Sequence, residues 1–189
     1  MTNQSILIGI IIGIFFVGLG IGFTVFQTSD QPIQSSNDEL EKYKLAEQLA
    51  TKHLETFDNL DFDVFTNQKW DRLKESHSDG IVVHWPDGHQ TVGIEKHIED
   101  LKAMFVYAPD TRIEEHPVRI ASGEWTSVIG TMEGTFTEPM PLPDGSSIPP
   151  TGKSFKLKMV TVGHWKNGVM DEEYLFWDNL TFMKQIGLA

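Results

Sequence analysis

The sequence predicts an α+β domain with an antiparallel sheet, preceded by one transmembrane helix. An uncharged apolar run occupies residues 6–26, apolar residues recur at helical spacing in the next part of the chain, and apolar and polar residues alternate at period two in the last part. Helices followed by strands that turns connect are typical of the α+β class. We therefore divide the chain into a transmembrane anchor at 1–27, a polar linker at 28–37 and one domain at 38–189.

The apolar run ILIGIIIGIFFVGLGIGFTVF is long enough to cross a bilayer. At ~1.5 Å per residue it reaches roughly 30 Å, the thickness of the hydrocarbon core. A cleaved signal peptide is the competing interpretation, but such a segment has a basic start and a small-residue cleavage site. MTNQS has no Lys or Arg, and the residues after Phe26 offer a poor cleavage site. We therefore expect a retained single-pass membrane anchor. The Lys and Arg that normally orient such a helix are absent nearby; we expect the domain to be extracytoplasmic.

Three helices are predicted before the long strands. The apolar residues after Ser36 repeat at helical intervals, so a helix is expected over about 38–57. A shorter helix is expected over about 67–75. Gly93 opens a third helix, and Pro109 stops its continuation.

The predicted strands show a β-branched run or a period-two alternation. IVVHW leads directly into a Pro-Asp-Gly turn and is typical of a strand. Four longer segments alternate: RIEEHPVRIASG, EWTSVIGTMEGTF, KSFKLKMVTVGHW and VMDEEYLFW. The stretch TEPMPLPDGSSIPPTG is rich in Pro and Gly, so we expect a loop at the rim of the sheet.

Composition excludes several classes of function. The formal net charge of −12 argues against nucleic-acid binding, which depends on Lys and Arg neutralising phosphates. The chain has no cysteine, so disulfides, thiolate zinc sites and cysteine nucleophiles are excluded. Neither a nucleophilic serine elbow nor a phosphate-binding glycine loop occurs.

The domain resembles a known family over about residues 40–189, most specifically in its C-terminal third. The segments that carry the resemblance are GTF at 134–136, PPTGKSFKL at 149–157, HWKNGVMDEEYLFWD at 164–178 and MKQIGL at 183–188. In this order they are similar to the SnoaL-like polyketide cyclases and ester cyclases of the nuclear transport factor 2-like superfamily. The resemblance implies a cone-shaped, strongly curved antiparallel sheet that wraps around the N-terminal helices and leaves an apolar pocket at its open end.

The resemblance also implies two functions between which the sequence does not decide. The first is a membrane-tethered, cofactor-independent acid/base enzyme that cyclises, isomerises, dehydrates or hydrolyses a small apolar carbonyl compound. The second is a noncatalytic module of the same fold that binds a small apolar or aromatic molecule or a protein partner. Neither function needs a metal or an organic cofactor. Homodimers formed through the sheet are frequent in similar proteins, but the sequence does not determine the oligomeric state.

On the matching motifs, Asp178 takes the position of the catalytic acid/base and His164 that of the accompanying histidine. An aspartate in an aromatic-walled pocket has a raised pKa, which suits proton transfer near neutral pH. The alternative for Asp178 is the N-cap of a short C-terminal helix, and both roles are compatible. The alternative for His164 is a hydrogen-bonded histidine in the sheet.

The turn after Trp165 decides which side chains share a face with His164. A two-residue turn at Asn167-Gly168 places His164 with Asp171 and Glu173, whereas a three-residue loop places it with Asp178. Both turns are common; the family resemblance favours the three-residue loop. A β-bulge at Gly163 is a further way to turn His164 to the other face.

Other residues are candidates for lining the pocket because they are aromatic or lie on the inward stripe of a predicted helix. They are Tyr43, Trp70, His97, Tyr174 and Phe176. A metal site built from His84 and His89 with His116 or Glu115 is a further candidate. Since none of these lies four residues from another on one predicted helix, we expect no metal site.

Overall fold

The computed structural model describes residues 31–189 of the chain, with side chains from residue 37 onward. The predicted anchor at 6–26 lies outside this range. None of the helices in the described range combines the length and the apolar character that crossing a membrane requires.

Four helical segments lie in the described chain before the long strands. Helix α1 spans Gln31–Asn59 and so begins within the stretch predicted as a linker. A π-helix at Leu60–Phe65 continues it directly, and a 3-10 helix follows at Trp70–Glu75 where a short helix was predicted. Helix α2 spans Ile94–Tyr107, as the bracketing glycine and proline predict.

The strands of the described chain form one main sheet and a small separate hairpin. The strands of the main sheet are β1 His77–His84, β2 Gln90–Val92, β3 Arg112–Ile113, β4 Val118–Ser122, β5 Trp125–Thr135, β8 Ser154–Lys166 and β9 Val169–Phe176. Their order is β2-β1-β9-β8-β5-β3, and β4 pairs with the other half of β5. All of these pairings are antiparallel except that of β1 with β9, which is parallel.

The Pro-rich loop carries the separate hairpin, which confirms that this stretch stays off the main sheet. Its two short strands are β6 Met140–Pro141 and β7 Ser147–Ile148. A last helix, α3, spans Asn179–Gln185 after the end of β9.

The turn between β8 and β9 has two residues, not the three that the resemblance favours. Lys166 pairs with Val169, and Asn167 and Gly168 have φ of 55° and 86°. Two successive positive φ values are what the right-handed twist of a hairpin requires of a two-residue turn. A register shift then leaves Asp171 as an extra residue, because Trp165 pairs with Met170.

This bulge decides which side chains of β9 point inward. Beyond it His164 lies opposite Glu172, and Gly163 lies opposite Glu173. Glu173 is buried on the concave side, whereas His164 and Glu172 are only half-buried. A bulge shifts every following side chain to the other face of the sheet. His164 therefore does not share a face with Glu173, although a two-residue turn without a bulge predicts that it does.

The hydrophobic core fills the space between the concave face of the sheet and the helices. Its most buried large side chains come from α1, the π-helix, the 3-10 helix, five strands and the residues that directly follow β5 and α3. They include Phe57, Val64, Leu73, Ile81, Ile113, Met132, Phe136, Phe155, Trp165, Met170 and Ile186. The core is continuous, as expected for one curved sheet closed by helices.

Candidate functional site

A small cavity lies between the concave face of the sheet and the helices. Its volume, measured for the centre of a water-sized sphere, is about 40 Å³. Most of its wall is aliphatic or aromatic: Leu60, Phe65, Leu73, Trp85, Leu101, Met104, Ile113, Met132, Met159, Leu175 and Trp177. Four ionisable side chains also line it: Asp61, His77, His97 and Glu173. An apolar cavity with a few converging polar groups is the usual form of a small-molecule site.

Three of these side chains form a compact cluster. His77 begins β1, His97 lies on α2 and Glu173 lies on β9; their exposed fractions are 2%, 1% and 4%. Glu173 Oε2 lies 3.6 Å from His77 Nε2 and 3.5 Å from His97 Nε2. The parallel pairing of β1 with β9 brings the first and last of these elements together.

The ring of His77 is held from behind. Its Nδ1 lies 2.9 Å from Ser76 Oγ and 3.3 Å from the Leu73 carbonyl oxygen, and the Ser76 hydroxyl itself donates to that carbonyl. A carbonyl oxygen only accepts, so the contact to Leu73 is a hydrogen bond in the tautomer that carries the ring proton on Nδ1. In that tautomer the lone pair is on Nε2, which faces Glu173.

Burial and charge act in opposite directions on the cluster. Burial lowers the pKa of His97 to about 4, so this ring is neutral near neutral pH. Burial alone raises the pKa of Glu173, but the side-chain pairing with His77 and the charges of His77 and His97 outweigh this effect, and the pKa lies below its usual value. The cluster therefore holds an ionised carboxylate next to a neutral imidazole in an apolar cavity.

Asp61 forms a second polar group on the cavity wall, backed by a histidine. Asp61 Oδ2 lies 2.8 Å from His116 Nε2, and His116 Nδ1 lies 2.7 Å from Asp58 Oδ1. Arg119 donates in turn to Asp58. The line of hydrogen bonds thus runs from a half-exposed arginine to a carboxyl group in the cavity.

The pKa values of this line follow from burial and pairing. Burial raises the pKa of Asp61, and the hydrogen bond from His116 only partly opposes this. Burial would lower the pKa of His116, but the two aspartates outweigh it, so the pKa is raised. Both shifts favour the protonated form, and the two groups titrate as a coupled pair.

The π-helix is what places Asp61 in the cavity. Leu60, Asp61, Val64 and Phe65 are all buried on this segment. The wider turn of a π-helix changes which side chains face inward, and such segments are frequent at functional sites.

The structure does not bring Asp178 and His164 together. Asp178 is exposed and caps α3: its Oδ1 accepts from the Thr181 N–H at 3.0 Å and its Oδ2 from the Thr181 hydroxyl at 2.6 Å. These hydrogen bonds lower the pKa of Asp178. His164 pairs instead with Asp171, at 2.6 Å, on the other side of the sheet from the cavity. Their catalytic roles stay predictions from the resemblance.

Of the five predicted pocket residues, His97 lines the cavity. Trp70 packs edge-on against Phe65 and Phe105 in the core, outside the cavity wall. The other three lie on outer surfaces of the described chain: Tyr43 is 69% exposed, Phe176 is 53% exposed and Tyr174 stacks on His84.

Sequence reasoning did not single out Asp61, His77 or Glu173 as site residues. Glu173 sits in an alternating strand where Glu172 and Glu173 must face opposite sides. The bulge that decides between them lies at Asp171 on β9, whereas the glycine that predicts a bulge is Gly163 on β8. His77 lies outside the segment read as a strand, and Asp61 lies in an acidic stretch typical of a solvated helix surface.

A family model describing the SnoaL-like polyketide cyclases matches residues 58–186. The chain belongs to this family. The matched range contains every residue of the cavity, and the curved sheet is the one that the resemblance implies. None of the curated proteins compared with this SnoaL-like chain matches it.

Solved structures share the fold of this SnoaL-like chain. A protein of Jannaschia sp. CCS1, named as a SnoaL-like polyketide cyclase, is 22% identical with a TM-score of 0.65, covering 75% of this chain and 95% of its own. IdmH of Streptomyces antibioticus, named as a polyketide cyclase, is 19% identical with a TM-score of 0.61, covering 71% and 98%. A nuclear transport factor 2-like protein of Burkholderia pseudomallei K96243, of unknown function, is 18% identical with a TM-score of 0.58, covering 72% and 98%. At these identities the likeness concerns the fold.

Proposed function

We propose that the protein is an enzyme that moves protons on a small apolar carbonyl compound bound in the cavity, with Asp61 as its general acid/base. The observation that carries the proposal is a fully buried carboxyl group on an apolar cavity wall, held by a histidine that is itself held by a second aspartate. General bases of this kind are oriented by a hydrogen-bonded partner and tuned by burial.

Asp61 is suited to both directions of proton transfer. Its raised pKa makes the ionised form a stronger base than an exposed aspartate and lets the protonated form persist closer to neutral pH. The ionised form removes a C–H proton that lies next to a carbonyl group, and the protonated form returns the proton to carbon or to the enolate oxygen. His116 stabilises the carboxylate whenever the proton has left it.

The size of the cavity limits the substrate. A volume of about 40 Å³ for the centre of a water-sized sphere corresponds to roughly three water molecules. The wall that faces the substrate is mainly aliphatic and aromatic, with His77, His97 and Glu173 as polar contacts. Small carbonyl compounds of a few heavy atoms fit these limits; a polycyclic substrate requires Trp85 or Trp177 at the wall to move.

Deuterium exchange tests the proposal without knowledge of the natural substrate. A panel of small 1,3-dicarbonyl compounds with slow background exchange is incubated with the protein in D₂O, and loss of the C–H signal is followed by NMR. We expect exchange that Asp61→Asn abolishes and that Asp178→Asn, a matched change at an exposed carboxylate, leaves intact. Loss with Asp178→Asn alone would assign the chemistry to the position that the resemblance indicates; exchange with neither change affecting it would refute an acid/base role for Asp61.

A noncatalytic binding module is the second candidate. It is favoured by the placement of Asp178 and His164, the positions that match the family motif, outside the cavity. This function predicts that purified protein retains a small molecule and exchanges no panel compound. Native mass spectrometry detects the retained molecule, and a Leu101→Trp change at the cavity wall is expected to displace it.

A further inference from the structure

We infer that His77, His97 and Glu173 bind a divalent transition-metal ion, with Zn²⁺ the best match. The inference goes beyond the proposed function, in which these side chains only contact the substrate. It rests on the kind of donor atoms, the distances between them, their lack of hydrogen-bond partners and the hydrogen bonds that orient the His77 ring. None of the three residues belongs to the metal site that the sequence suggests around His84, His89 and His116.

The donor set is that of a catalytic zinc site. Two imidazoles and one carboxylate occur together as zinc ligands in enzymes, with a fourth position left for water or substrate. Two imidazole ligands argue against Mg²⁺ and Ca²⁺, because these ions prefer oxygen ligands. One oxygen or nitrogen atom from each of the three side chains lies within 4.8 Å of the others.

The spacing fits metal ligands better than hydrogen bonds. Zinc bonds of about 2.1 Å in a tetrahedron place neighbouring donor atoms roughly 3.4 Å apart. The carboxylate oxygen lies 3.6 Å and 3.5 Å from the two imidazole nitrogens. Distances of this length are too long for good hydrogen bonds, which join N and O at about 2.7–3.2 Å.

Two of the three facing atoms lack partners within residues 37–189. Glu173 Oε2 and His77 Nε2 are buried and make no hydrogen bond there. His97 faces Glu173 with Nε2, and its other ring nitrogen, Nδ1, is also buried without a partner. With the proton of His77 on Nδ1, a nitrogen lone pair faces a carboxylate oxygen, so both atoms are acceptors. A cation between them resolves this contact, since buried acceptors without a donor are costly.

The hydrogen bonds behind His77 are those of a metal-bound histidine. Such a ring donates its second N–H to a carbonyl or a similar acceptor, which fixes both its tautomer and its orientation. His77 Nδ1 makes this contact to the Leu73 carbonyl oxygen and to Ser76 Oγ. The three ligands all line the cavity, so the remaining metal position opens toward the space that a substrate would occupy.

Metal binding is measured directly on the full chain, purified in detergent because of its apolar residues 6–26. The protein is stripped with EDTA, and Zn²⁺ binding is followed by equilibrium dialysis with elemental analysis. We expect one Zn²⁺ per chain, and Glu173→Gln and His97→Gln are each expected to weaken binding by at least ~100-fold. Co²⁺ in place of Zn²⁺ is expected to give the intense visible bands of a four-coordinate site.

The chain offers matched controls on the same two strands. His84 and Glu172 are also a histidine of β1 and a glutamate of β9. Their side chains pair with each other, with His84 Nε2 2.9 Å from Glu172 Oε1, and they do not line the cavity. His84→Gln and Glu172→Gln are expected to keep the wild-type affinity. Thermal unfolding checks that each variant is folded; should Glu173→Gln fail to fold, His97→Gln decides.

Two results would overturn the metal site: wild-type protein that binds no stoichiometric Zn²⁺, or cavity variants that bind it as tightly as the controls. Asp61→Asn separates this inference from the proposed function, because it is expected to abolish proton exchange while retaining one Zn²⁺. Deuterium exchange by a protein that binds no Zn²⁺ would support the proposed function and overturn the metal site. Stoichiometric Zn²⁺ binding without deuterium exchange would support the metal site and overturn the proposed function.

Discussion

A methyl group added at Gly163 should destabilise the protein, although glycine is not needed there for its backbone angles. In a Gly163→Ala variant the new carbon would lie 2.5 Å from Met170 Sδ and 3.1 Å from Thr126 Oγ1. Carbon and sulfur atoms in contact normally lie more than 3.5 Å apart, so the Met170 side chain has to retreat by about 1 Å. Met170 and Thr126 are both fully buried, which leaves little space for that movement.

The expected cost is about 1–2 kcal/mol in the free energy of unfolding. Overpacking of a dense core costs typically ~1–3 kcal/mol. Replacing glycine by alanine also restricts the unfolded chain, which returns roughly 0.5 kcal/mol. Urea unfolding followed by tryptophan fluorescence measures the difference, and Met170→Ala combined with Gly163→Ala should cost less than the sum of the two single changes because the clash is removed.

Gly80→Ala is the matched control. Gly80 also lies in a strand of the same sheet, and a methyl group there meets no atom of the described chain within 4 Å. We expect its stability to be unchanged or slightly raised. Equal stability of Gly163→Ala and Gly80→Ala would refute the view that Met170 packs tightly over Gly163, and with it the described position of the bulge next to Glu173.

Three other predictions follow from the site and the termini. Burial raises the pKa of Asp61 above 3.8, so the contribution of Asp61 to stability is complete below pH 3.8 and is lost as the pH rises through the folded-state pKa. The stability of Asp61→Asn relative to wild type should therefore increase with pH. Carbon-13 NMR titration of the Asp61 carboxyl should show the raised pKa directly. Asp178→Ala should lower the melting temperature by a few degrees through loss of the α3 cap, and the loss should vanish at low pH because the pKa of Asp178 is depressed; an unchanged melting temperature at neutral pH would contradict the cap. The full chain should sediment with membranes and a chain lacking residues 1–30 should not, whereas equal sedimentation would argue against the anchor.

The elements of the fold follow closely from local patterns in the sequence. Helix α2 lies where Gly93 and Pro109 bracket an apolar stripe, and β5, β8 and β9 lie where alternation is strongest. These patterns are predictive because burial of one face sets the period of the side chains. The strong curvature of the sheet is predicted by the family resemblance, which depends on specific sequence motifs and not on the periodicity of apolar residues.

The site could not be read from the sequence because two irregularities place its residues. The π-helix turns Asp61 inward, and the bulge at Asp171 turns Glu173 inward and His164 outward. Each irregularity adds one residue to a regular repeat, so an extrapolated pattern assigns the wrong face from that point on. Capping of α3 by Asp178, in contrast, follows a local rule, and the sequence predicts it as one of two roles for this residue.

The parallel pairing of β1 with β9 determines when the site can form during synthesis. Asp61, His77 and His97 leave the ribosome early, whereas Glu173 belongs to one of the last segments to emerge. Until then β1 has only the short β2 beside it in the main sheet, and the cluster consists of histidines without their carboxylate. Joining strands this far apart in the chain is slow because a long loop must close first. A ribosome-bound chain that lacks β9 should therefore have no assembled cavity, and its exposed concave face is the surface that a chaperone would need to cover.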